Sequence, residues 1–243
     1  MNGEDKVTVG QGAEFGAKSW RCMSCACQGN SPLQGDGCFD ATLVVRDAAG
    51  VLGPAAAVRR LAEEQAIPFW SGLATVLEGW AMGREGSPDA GAATILRALD
   101  ALHSTGVRLW RPYHLGLLAD VEAHASLYNQ ASAHVAMALR QAEDTGERWY
   151  EAELHRLRGE LALRQGLGAS AAEPAFRAAL KLARHQAARA WELRAAVSLA
   201  RLWADRGERQ KAHELLTLTY GWFTEGFGTP DLREARALLD ELR

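Results

Sequence analysis

Nowhere in the 243 residues do about 18 apolar side chains run without a charge, and the opening MNGEDKVTVGQG lacks a basic stretch followed by an apolar one. Neither a membrane-spanning helix nor a secretory leader is expected, and the cytoplasm is the expected compartment. There is no Lys or Arg tract either. With 27 basic and 30 acidic residues the formal net charge is -3, so nothing electrostatic recommends nucleic acid or an anionic membrane as partner. The chain contains no GxxxxGK[ST], no GxGxxG after a strand, no HExxH and no GxSxG, so the common phosphate, dinucleotide, zinc-protease and hydrolase signatures are missing. Neither catalysis nor a cofactor is expected.

Cysteine does not occur after residue 38. Cys22 and Cys25 have the spacing of a metal knuckle, and four thiolates can hold zinc, but Cys27 and Cys38 make no second close pair and no histidine lies nearby. Free thiols are the competing reading. A disulfide framework would need an oxidising compartment that nothing here indicates. The seven histidines share no common column. Asp120 and His124, one helical turn apart, fit either a metal or a solvated polar pair. No metal site is expected.

What the chain does have, from about residue 54 onward, is Ala, Leu, Arg and Glu, all strong helix formers. Sliding this part over itself shows a period of 40 or 41. An aromatic stands at Trp70, Trp110, Tyr150 and Trp191; nine residues on, a small residue at Gly79, Ala119, Gly159 and Ala200. A second small column follows at Gly91, Ala131, Ala172 and Ala212, then a larger apolar one at Ile95, Val135, Phe176 and Leu216, then Ala98, Ala138, Ala179 and Thr219. Apolar residues recur at three and four within each copy, broken by REGSPDAG, LYNQ, RQGLGAS and DRGERQ, so each copy predicts two helices.

First helices are expected near 66–83, 107–125, 147–165 and 188–206, second helices near 88–104, 128–144, 169–186 and 209–223. Small residues let antiparallel backbones approach while a larger neighbour fills the groove beside them, and one hairpin cannot bury both of its faces alone. The expected fold is all-α: a right-handed solenoid of about four 40-residue hairpins. PDLREARALLDELR (230–243) is expected to form a C-terminal capping helix. Residues 53–243 form the expected repeat domain. Residues 1–52 are expected to be a disordered leader, with a strand at ATLVVRD (41–47) as the alternative. VRRLAEEQAIPFW (58–70) reads as the end of a second helix without its partner, an array cut through a repeat, as expected of a fragment of a longer protein.

Gly159, Ala172, Phe176 and Ala179-Leu180 resemble the tetratricopeptide signature, although the period exceeds the usual length and the proline that closes the second helix is absent. More closely, AEEQAIPFW, EAELHRLRGELAL, AFRAALKLAR, WELRAAVSLARLW and YGWFTEGFGTPDLREARALLDEL resemble the C-terminal helical-repeat region of bacterial signalling ATPases. In that family the repeats follow an ATPase module, often with a class III nucleotide cyclase or a DNA-binding regulator domain. The resemblance implies a sensing or partner-binding arm. It supplies no catalytic residue, so cyclase or ATPase activity would belong to domains this sequence does not contain.

In such repeats the first helices line the concave surface. Counting from the small column places Trp80, Asp120, Glu160 and Arg201 there, joined by Arg156, Arg164 and Arg194. Arginine forks bind carboxylates in bidentate fashion, so this surface suits a carboxylate-bearing peptide. A ladder of salt bridges within the array is the competing reading. Two functions follow: a non-catalytic module for a protein or peptide partner, such as the ATPase module of its own system, or a sensor that takes a small molecule into the groove. Trp70, Trp110 and Trp191 are expected in the repeat core.

Overall fold

A computed structural model describes residues 47–106 and 108–243. The four cysteines and the strand considered at 41–47 lie outside the described residues, Asp47 excepted. Among the described residues the chain is all-helical, with ten helices and no strand: α1 (Ala48–Glu64), α2 (Pro68–Arg84), α3 (Pro88–Ser104), α4 (Arg111–His124), α5 (Tyr128–Thr145), α6 (Glu151–Arg164), α7 (Ala169–His185), α8 (Arg189–Asp205), α9 (Arg209–Tyr220) and α10 (Pro230–Leu242). None of them is long and apolar enough to cross a membrane.

Residues 48–52, expected in the leader, belong to α1. The Asp47 carboxylate caps that helix by accepting from the Gly50 N–H at 3.0 Å, and Val51 and Ala55 are fully buried. Gly50, Gly53 and Pro54 dilute the local helix propensity, and packing of the apolar face overrides it.

The connections share one device. Each carries a residue at positive φ: Ala66, Gly86, Gly106, Ser126, Gly146, Gly166, Ala187, Gly207 and Gly226, spaced 19 to 21 residues apart. In six of them the next N–H reaches back five residues, as from Ile67 to the Ala62 carbonyl at 2.8 Å and from Glu208 to the Trp203 carbonyl at 2.8 Å. This is the left-handed closure that satisfies the last carbonyls of a helix and reverses the chain. Proline occupies the first turn of α2, α3, α4 and α10, where its missing N–H costs nothing.

Reversal lays consecutive helices antiparallel, and the small columns set how closely they cross. A Cβ added to Gly91 would stand 2.4 Å from the Gly79 carbonyl oxygen and 2.7 Å from the Gly83 nitrogen, so α2 and α3 meet backbone to backbone. At Gly159 an added Cβ would fall 2.4 Å from the ring of Phe176, which is fully buried. All five columns are buried except the first. Each helix packs on its chain neighbours; in addition α2 touches α4, α4 touches α6, α6 touches α8 and α8 touches α10. The odd-numbered helices make their substantial contacts with sequence neighbours alone.

The aromatic column behaves unevenly. Tyr150 and Trp191 are buried edge to face, 5.3 Å between centroids, and Tyr113 meets Tyr150 at 4.9 Å. Trp70, expected in the core, is instead 43% exposed, because Phe69 takes the inward position and approaches Trp110 at 5.9 Å.

Two substitutions test this account in opposite directions. Ala187→Gly relieves a left-handed alanine and should stabilise by about 0.5–1 kcal/mol. Gly91→Ala forces two backbones apart and should cost about 2–3 kcal/mol. Urea unfolding midpoints of the two variants would separate them.

Candidate partner-binding groove

The even-numbered helices enclose a groove of about 500 Å³. In α4 it is lined by side chains that follow the small column, in α6 and α8 by side chains on both sides of it, and residues roughly a period apart stand side by side. Asp120 and His124 of α4, Arg156, Glu160 and Arg164 of α6, Arg194 and Arg201 of α8, and Asp231 and Glu234 of α10 all line it, with Arg84 of α2 at one end.

Trp80 does not line it. Only 3% exposed, it lies in the core and donates its indole N–H to the Asp120 carboxylate at 2.9 Å, 40 residues away. A large ring gains more from burial than from exposure provided its one polar group finds an acceptor. Asp120 also faces the Arg84 guanidinium at 3.7 Å.

Deeper in, four charged groups form a buried, neutral set. Arg156, 3% exposed, holds Glu153 through two bonds of 2.9 and 2.7 Å and also pairs with Glu160. Arg194, 5% exposed, donates to Asp231 at 2.7 Å and lies 3.5 Å from Glu153, one period away. Burial alone would disfavour the charge on Arg156, but Glu153 and Glu160 outweigh it and raise its pKa well above the ordinary value. At Arg194 burial is likewise opposed by Asp231 and Glu153, with a net rise. Asp231 sits in the first turn of α10, where the helix dipole also favours a carboxylate.

Arg156 and Arg194 therefore spend their guanidinium donors inside the protein, as in the ladder reading. The accessible members are Glu160, which also accepts from Ser198 at 3.1 Å, Arg201, paired with Glu234, and Arg164. Arg164 is exposed, and among the described residues no carboxylate lies within ion-pair distance of it.

No protein-family model matches the chain, and no curated protein matches it. The resemblance to signalling ATPases rests on the quoted residues alone. Among the described residues no cluster of three or more His, Cys, Asp or Glu side chains offers a metal site. His124 turns its Nδ1 to the Asp120 carbonyl at 2.7 Å and meets Arg84 with its other nitrogen. The arrangement pairs charges and orders side chains.

His114 of α4 is another buried titratable group. It is enclosed beside Tyr113, and burial, with Arg111 adding to it, lowers its pKa from 6.5 to about 4. An unfolded chain takes up this proton near pH 6.5 and the folded one only near pH 4, so stability falls as pH drops through that window. The loss attributable to this group approaches about 3 kcal/mol by pH 4. His114→Leu should flatten that stretch of the curve in urea titrations between pH 7 and pH 4.

The ladder makes a second prediction. Asp231→Ala leaves the buried set with one positive charge in excess and should cost about 3–5 kcal/mol. Arg201→Ala removes a half-exposed pair and should cost less than about 1 kcal/mol. Thermal melts of both variants give the comparison.

Proposed function

We propose that this chain is a non-catalytic protein- or peptide-binding repeat module, the regulatory arm of a bacterial signal-transduction ATPase or cyclase acting in the cytoplasm. In this reading α2–α3, α4–α5, α6–α7 and α8–α9 are four tetratricopeptide-like hairpins of a right-handed solenoid. Helix α10 covers the last one, and α1 is the second helix of a preceding repeat. The signalling context is carried by the resemblance of the repeat motifs.

One observation supports the binding role above the others. A groove of about 500 Å³ runs across the even-numbered helices and is lined by charge from every one of them. Its buried set fixes the shape, and its rim keeps Arg164 and Arg201 within reach of a partner. Arginine at an open rim recognises a peptide carboxylate with two parallel bonds. Because Arg194 is structural, reversing its charge would unfold the site rather than report on binding.

The test uses Arg164→Glu combined with Arg201→Glu. Peptides selected against the immobilised chain from a random library with free C-terminal carboxylates should lose at least about tenfold in affinity to this variant. Unchanged affinity would remove the groove from the reading.

A further inference from the structure

A second depression lies away from that groove, between α7 and α9, over α8. Its volume is about 360 Å³, and Arg177, Lys181 and Arg184 of α7, Leu199 and Trp203 of α8 and Leu215 of α9 are among the residues lining it. Arg177, Lys181 and Arg184 are spaced i, i+4, i+7, so they form one line of cations along α7, roughly 10 Å long at the rise of an α-helix. The floor is apolar: Leu180, Leu199 and Trp203 are buried, and Leu215 is partly so. Leu218, one turn beyond Leu215 on α9, is 71% exposed.

No carboxylate is among the lining residues. The two acids that pair with Arg177 and Arg184 are shared. Glu173 accepts from Arg177 at 2.7 Å, from Arg206 at 2.6 Å and from the Trp203 indole at 3.0 Å, while Glu192 serves both Arg184 and Arg189. Each of these carboxylates thus faces two guanidinium groups. Lys181, exposed midway between them, has no hydrogen-bond or ion-pair partner among the described residues. The Lys211 ammonium, paired with Glu208 at 2.7 Å, stands 3.9 Å over the Trp203 ring at the edge. Sequence charge follows the same trend: residues 148–243 hold 16 Lys and Arg against 13 Asp and Glu, whereas residues 47–147 hold 7 against 12.

We infer that the α7–α9 depression docks an acidic amphipathic helix of a partner protein, with carboxylates opposite Arg177, Lys181 and Arg184 and apolar side chains over Trp203 and Leu215. A line of charge beside a sunken apolar floor is the complement of a helix carrying Glu at i, i+4 and i+7 next to a Leu stripe. A membrane surface fits less well, because the apolar floor is recessed between two helices and cannot reach acyl chains. This site is separate from the groove of the even-numbered helices and does not depend on that groove's role.

The probe is a fluorescein-labelled, helix-biased peptide with Glu at i, i+4 and i+7 and Leu along the adjoining stripe, titrated into the full chain by anisotropy. Binding with Kd near about 10 μM is expected, weakening about tenfold or more in Lys181→Glu and in high salt. Lys181 is exposed and unpaired, so its reversal leaves the fold intact; Arg164→Glu with Arg201→Glu should leave this peptide's affinity unchanged. Four outcomes overturn the inference: no binding at about 1 mM peptide; equal binding of an isomer with its Glu residues spread around the helix; no effect of Lys181→Glu; or competition by phosphatidylserine vesicles or by a second copy of the chain.

Discussion

Each of the first nine helices is stopped after 12 to 18 residues by a chain reversal that needs one residue at positive φ, and that requirement recurs about every 20 residues from Ala66 to Gly226. Six of the nine positions are glycine, which adopts this conformation without steric cost; Ala66, Ser126 and Ala187 adopt it at a cost that surrounding packing must offset. Regular reversal gives antiparallel neighbours of nearly equal length. Equal lengths bring the small columns opposite one another, so that Gly91 meets Gly79 and Gly83 while Phe176 fills the space over Gly159. The close crossings then hold alternate helices near enough to touch.

Alternate contact explains why charge is buried at all. Glu153, Arg156, Arg194 and Asp231 lose their hydration, a cost of several kcal/mol per ion, and offset it through one another and through the Arg156–Glu160 pair. Apolar residues of equal volume could fill the same space. What the ions add is selectivity of register, since Arg194 reaches both Glu153 and Asp231 only when α6, α8 and α10 stand one step apart. Trp80 and Asp120 fix α2 against α4 in the same manner with a single neutral donor.

Most of the helical layout was legible in the sequence because it rests on periodic features. The small columns located the crossings, and the expected helices fall within about four residues of those observed, a boundary error ordinary for frayed or tightened ends. The start of α1 was hidden because Gly50, Gly53 and Pro54 look like loop. Trp70 and Trp80 were misassigned for one reason: periodicity specifies a helix face, not which of two adjacent aromatics turns inward, nor where an indole N–H finds its acceptor. The groove face was recognisable from the count after the small column, but the fate of Arg156 and Arg194 was not. A signal did exist. Trp80 with Asp120 and Glu153 with Arg194 are complementary pairs separated by 40 and 41 residues, so matching donors to acceptors at one period would have found the ladder.

Because the odd-numbered helices rely on their immediate neighbours and the even-numbered ones reach only to the next, the two ends of the groove are linked in series. A displacement at α2 can influence α10 only by passing through α4, α6 and α8 in turn. Each interface transmits a fraction of the free energy it receives, so the response fades with every step. The molecule is in this respect a chain of springs rather than a lever: a force applied at one end displaces the nearest helices most, and only one applied along several of them moves the whole.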